Sequence, residues 1–126
     1  MSLWLFIGVG GFIGAILRFV LSGWIQNGVV TFPLGTLGVN FIGSFFVSLI
    51  LYLSEYRGFF SEEVRIFLTI GVLGSFSTMS TFSFESFKLM EQGEFGLFGL
   101  NVAGTLVLTF LAVFLGKLLV TNLGWE

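Results

Sequence analysis

The residues able to do chemistry are sparse, and most are neutral. From Ser75 to Ser83 the chain reads Ser75-Phe76-Ser77-Thr78-Met79-Ser80-Thr81-Phe82-Ser83, so six of nine side chains carry a hydroxyl. Ser77-Thr78-Met79 is echoed by Ser80-Thr81-Phe82. On a helix this repeat sets Ser77, Ser80 and Ser83 along one drifting face and Met79 and Phe82 along another. Asn40 is a full amide among apolar residues, and Asn101, Thr105 and Thr109 form a stripe at i, i+4, i+8. The chain has no His and no Cys, which removes the commonest proton shuttle and the thiol nucleophile. No nucleophile–base pair exists, so the inventory points away from an enzyme. A proton-coupled carrier needs a buried ionisable group, and cation channels use carboxylate rings or carbonyl filters. Neutral donors with one arginine, Arg18, suit a small anion better. Aromatic rings have positive edges, and Phe82 among the hydroxyls offers one. Spacing alone does not choose between anions.

The elements that must hold these residues follow from the charges. Uncharged runs cover 17 residues before Arg18, 36 from Phe19 to Ser54, 19 from Ile66 to Phe84 and 22 from Phe95 to Gly116. A membrane-spanning helix needs about 20 mostly apolar residues. The longest run is interrupted by Gln26-Asn27-Gly28 and by Phe32-Pro33-Leu34-Gly35. Four spans result, at about 3–25, 34–54, 64–88 and 95–120. The expected fold is an all-α membrane protein, a single four-helix transmembrane domain over residues 1–126. Composition agrees: the chain is 56% hydrophobic and 10% charged, with 18 Gly and 18 Phe, too few charges to cover a soluble surface or bind nucleic acid. Long apolar runs replace the alternation of a membrane β-barrel.

Local signals refine the spans. Gly10 and Gly14 form a small-xxx-small pair suited to close helix approach. Gly8 to Gly14 is not a dinucleotide fingerprint, since Ile13 stands where a third glycine belongs. Pro33 suits the start of the second span. Gly71 and Gly74 weaken the third span beside its hydroxyl cluster, so a broken third helix is expected, its freed backbone buried by protein or lining a cavity. Arg18 either snorkels or faces water. Asn40 needs a helix, a backbone group, water or an ion as partner. Glu85 and Lys88 are spaced as an i, i+3 pair at the membrane edge. With four spans, Arg57, Arg65 and Lys117 share the terminal side, and Lys88 and Arg18 lie toward the other. This bias is feeble and leaves two readings: one strong charge sets the orientation, or the chain inserts both ways up and pairs antiparallel.

Three stretches carry a family resemblance. Gly11-Phe12-Ile13-Gly14-Ala15-Ile16-Leu17-Arg18-Phe19 resembles the pattern G-x-x-G-A-x-x-R-[YF]. Gly35-Thr36-Leu37-Gly38-Val39-Asn40-Phe41-Ile42-Gly43-Ser44 resembles G-T-L-x-V-N-x-x-G. Gly74 to Glu85 resembles G-G-x-[ST]-T-F-S-T-F-S-x-E. In this order, over essentially the whole chain, they resemble the Fluc/CrcB fluoride channels. The resemblance implies an antiparallel dual-topology homodimer in a prokaryotic plasma membrane. It implies two pores, each lined by both copies, that passively and selectively release fluoride trapped inside after neutral HF has crossed the lipid. It implies a central structural sodium ion held by the backbone carbonyls of Gly74 and Ser77. Asn40, Ser80, Thr81, Phe82, Ser83, Thr105 and Thr109 match positions along the anion pathway, and Arg18 matches a first-helix arginine that would make the vestibule positive. Met79 departs from the pattern, standing where the family usually has Phe. Two other readings compete. A small four-helix, dual-topology multidrug exporter would need a first-span carboxylate, yet the first acidic residue is Glu55. A non-transporting subunit of a membrane complex would use its polar stripes as interhelical glue.

Overall fold

The first two long helices of this chain are each followed by a glycine in the left-handed region. In the computed structural model, which describes residues 2–122, α1 spans Leu3–Gln26 and is followed by Asn27 and then Gly28 at φ +82°. Helix α2 spans Leu34–Arg57, beginning after Pro33 as expected. It runs past the expected residue 54 through Glu55, Tyr56 and Arg57, because charged side chains at a membrane edge reach water without ending a helix. Gly58, at φ +58°, ends it in a left-handed cap. The fourth span, α6, covers Phe95–Asn122. Residue 1 and residues 123–126 of the expected domain lie outside the described residues.

The third span, Glu62–Glu91, is composite. It opens with α3, Glu62–Ile66, where the Ser61 hydroxyl accepts from Val64 N–H at 3.3 Å and Glu62 and Glu63 sit favourably at the helix N-terminus. A π-helical stretch, Phe67–Leu73, leads into a short α4, Gly74–Phe76. Ser77 and Thr78 are extended, with ψ of 157° and 122°. Helix α5, Met79–Glu91, completes the span. The expected break is therefore present, at Ser77 and Thr78. No residue pattern announces the π stretch.

All four spans are long and apolar enough to cross a membrane, so this is a multi-pass membrane protein. Lipid gives apolar helices no hydrophobic reason to associate, so close packing and hydrogen bonds must hold them. Glycines provide the packing. A Cβ on Gly10 would lie 2.8 Å from Gly71 Cα and from Phe67 O, so α1 presses its backbone against the π stretch. A Cβ on Gly14 would strike Val72 O and Ser75 Oγ. Gly8 and Gly11, in contrast, face open space. Helix α2 packs most extensively on α6, where Gly116 admits Ser48 and the Ser48 hydroxyl donates to Val113 O at 2.6 Å. Val39, Phe76, Leu89, Ala112 and Val120 form the buried core, while Trp4, Phe12, Phe19, Trp24 and Phe110 lie on the outside.

Candidate functional site

Thr78 is the hinge of the site. Its backbone N–H donates to Asn40 Oδ1 at 2.7 Å, and its carbonyl accepts from Asn40 Nδ2 at 3.1 Å. One amide side chain on α2 thus pairs with both backbone groups of one residue at the break, as a neighbouring strand would. The Thr78 hydroxyl in turn accepts from Thr81 N–H at 3.2 Å and caps α5. In an unbroken helix, Thr78 N–H would donate to Gly74 O, and Thr81 N–H would donate to Ser77 O. Both donors are engaged elsewhere. The two carbonyls that the family resemblance implies as cation ligands, Gly74 and Ser77, are among those left without their helical donors.

Arg18 belongs to this break. Its Nε–H donates to Ser75 O at 3.0 Å, and its side chain is half-buried. It lines neither of the two polar clefts described below, and its hydrogen bond is to backbone. The Ser75 hydroxyl is within reach of Gly11 O at 3.0 Å and of Gly71 O at 2.8 Å, tying α1 to the same turn.

Beside the break is a cleft of about 300 Å³. Asn40 and Ser44 of α2, Ser77, Thr78, Met79 and Phe82 of the third span, and Thr105 and Thr109 of α6 line it. No ionisable side chain is among the lining residues. Asn40 lines this cleft and has one amide hydrogen beyond the one given to Thr78. Thr109 Oγ1–H donates to Thr105 O at 2.7 Å and Thr105 Oγ1–H to Asn101 Oδ1 at 3.5 Å, so both hydroxyl hydrogens are engaged within α6. Met79 is 71% exposed, and Ser80 and Ser83 are also exposed, lining neither this cleft nor the next. The structure therefore gathers Asn40, Met79, Phe82, Thr105 and Thr109 and leaves Ser80 and Ser83 on the surface of the single chain.

Thr81 faces a second cleft, of about 550 Å³, with Thr36, Gly35, Gln26 and Glu85. There the Thr36 hydroxyl donates to Glu85 Oε1. The expected Glu85–Lys88 pair is not formed: Lys88 Nζ lies 3.9 Å from Glu91, and Glu85 is turned inward by Thr36, a partner 49 positions away in sequence. Gln26 fixes this end of the molecule. Its Nε2 donates to Val29 O and Phe32 O, both at 2.8 Å, and its Oε1 accepts from Gly35 N–H at 2.7 Å. The polar stripe of α6 divides. Asn101 is fully buried and donates to Ser86 Oγ at 2.8 Å, serving as interhelical glue, while Thr105 and Thr109 reach the cleft. Thr36, Ser44, Gln26 and Ser86 were not singled out from the sequence. Thr36 and Ser44 sit within the second motif, but hydroxyls on a helix most often bond their own backbone and carry no signal alone.

Known proteins match this arrangement over most of its length. A family model described as "CrcB-like protein, Camphor Resistance (CrcB)" matches residues 5–117. The chain is 58% identical over 119 residues to "Fluoride-specific ion channel FluC 1" of Methanosarcina acetivorans, covering 94% of this chain and 91% of that one. It is 57% identical over 113 residues to "Fluoride-specific ion channel FluC 3" of Methanosarcina barkeri, covering 90% and 86%. A protein of Thermus thermophilus named "Fluoride-specific ion channel FluC" is 43% identical over 114 residues, covering 90% and 89%. The match takes in all four spans and the break between α4 and α5, so the chain belongs to the Fluc/CrcB family.

Proposed function

We propose that this chain is a passive, fluoride-selective ion channel of a prokaryotic plasma membrane. It is a channel and not an enzyme, and its relatives bear the name of a fluoride-specific ion channel. The observation that carries the reading is the cleft where Asn40, Phe82, Thr105 and Thr109 converge with no ionisable side chain beside them. Fluoride is small and holds its water tightly. A path for it must replace that water with close donors: the second Asn40 amide hydrogen and the Phe82 ring edge are such donors, and the Thr105 and Thr109 hydroxyls become donors when they rotate away from their acceptors on α6. A fixed carboxylate there would repel the anion. Protection follows from the chemistry: HF crosses lipid uncharged, dissociates inside, and the trapped anion leaves through the channel.

The working unit in this reading is an antiparallel dual-topology homodimer with two pores. Supporting it, Met79, Ser80 and Ser83 are exposed on the single chain, and serine hydroxyls within a membrane span are unfavourable against lipid. A second copy would cover them and complete the anion path with Ser80, Thr81 and Ser83. A central sodium ion fits the carbonyls of Gly74 and Ser77, because a hard cation takes oxygen ligands and these oxygens lack their helical donors. Bound there, such an ion would supply a fixed positive charge at the break. The chain's own residues shape the site: Asn40 and Thr78 hold the backbone open.

Proteoliposomes loaded with fluoride test passivity. The account expects release that follows the fluoride gradient and membrane potential and is unmoved by an imposed proton gradient. Release driven by the proton gradient would replace the channel with a carrier.

A further inference from the structure

We propose that Arg18 is a positioning residue that keeps the third helix broken, so that the Gly74 and Ser77 carbonyls stay free for the cation. This rests on the cation reading above. The natural helical partner of Ser75 O is the N–H of Met79, the first residue of α5. If Ser75 O recovered that bond, the chain would rewind through Ser77 and Thr78. Thr78 N–H would then return to Gly74 O and remove one of the two freed carbonyls. Arg18 opposes the rewinding by giving Ser75 O a charged donor at 3.0 Å, which the Met79 N–H would have to displace or share. Asn40 holds the other side of the same peptide run, through Thr78 N–H and Thr78 O. The two side chains come from different helices, α1 and α2, and grip the break at positions three apart.

Partial burial and charge strengthen the grip. A carbonyl without a donor inside a membrane protein is costly, and a charged donor satisfies it better than a neutral one. A guanidinium also suits the carbonyl end of a helical segment, where the backbone dipoles leave partial negative charge. Gly14, one turn before Arg18, lets α1 approach Val72 and Ser75 closely enough for the reach. The charge of Arg18 is therefore spent on backbone at the centre of the third span.

The test compares wild type, Arg18→Met and Arg18→Lys as full chains in detergent, reading the sodium concentration that gives half-maximal protection against thermal unfolding. Arg18→Met removes donor and charge at similar length. It is expected to raise the half-protecting concentration about tenfold, the equivalent of one lost charged hydrogen bond. Arg18→Lys keeps a donor for Ser75 O and is expected to stay near wild type. A residue that merely stiffened the fold would lower the melting temperature and leave the sodium concentration unmoved, and that result overturns the proposal. A lower sodium requirement in Arg18→Met overturns it too, since repulsion between guanidinium and ion would then govern. If Arg18→Met does not fold, Arg18→Lys decides: sodium protection lost despite the retained donor rejects the role. Wild type unprotected by sodium would reject the cation reading itself, before any variant is compared.

Discussion

Asn40 lines the cleft, uses one face of its amide on Thr78 and has one amide hydrogen beyond that pairing. Asn40→Asp keeps the shape, turns a donor into an acceptor facing Thr78 O and adds a negative charge where an anion would pass. Fluoride flux through the folded variant is expected to fall by at least about tenfold, corresponding to roughly 1.4 kcal/mol on the barrier. Unchanged flux would remove Asn40 from the path. Met79 tests the opposite tolerance. It lines the same cleft, its thioether is flexible and polarisable, and Met79→Phe restores the residue usual in the family. Met79→Phe is expected to keep fluoride efflux from liposomes within about an order of magnitude of wild type, since ring edge and S-methyl can both meet an anion. A folded but silent variant would contradict this. Asn40 and Phe82 were legible because an amide and an aromatic stood out against their surroundings. The Glu85–Thr36 bond was not, because local spacing offered Lys88 and the true partner lies on another helix.

At the scale of elements, two glycines four apart do different work from their neighbours. A side chain at Gly14 would strike the backbone of Val72 and the hydroxyl of Ser75, whereas one at Gly8 meets nothing within 4 Å. Gly14→Ala is expected to lose about 1–3 kcal/mol of stability, as overpacking does, and Gly8→Ala to be silent. Thermal unfolding in detergent separates them, and equal melting temperatures would argue against the packing described. The break itself could be read from hydroxyls beside Gly71 and Gly74, residues that weaken a helix and offer the backbone other partners. The π-helical Phe67–Leu73 could not. It lies where α1 is pressed in at Gly10, and that contact between distant segments leaves no mark in local sequence.

For the whole molecule, the number of spans followed from charge spacing and the polar and proline interruptions of the longest run, while orientation did not. Five basic residues divided almost evenly give no strong signal to the insertion machinery. The antiparallel reading expects both orientations in one membrane. The chain has no Cys, so Ser2→Cys creates a unique label site. A membrane-impermeant thiol reagent added outside intact cells is expected to reach about half of the copies, as an even charge bias implies. Labelling of all copies or none would fix a single orientation and exclude the antiparallel dimer. The central claim is selective fluoride conduction, and it is tested most directly by loading liposomes carrying the purified protein with fluoride or with chloride and recording release after the membrane potential is collapsed. The account predicts fast release of fluoride and release of chloride no faster than from protein-free vesicles; equal release of the two anions would contradict it.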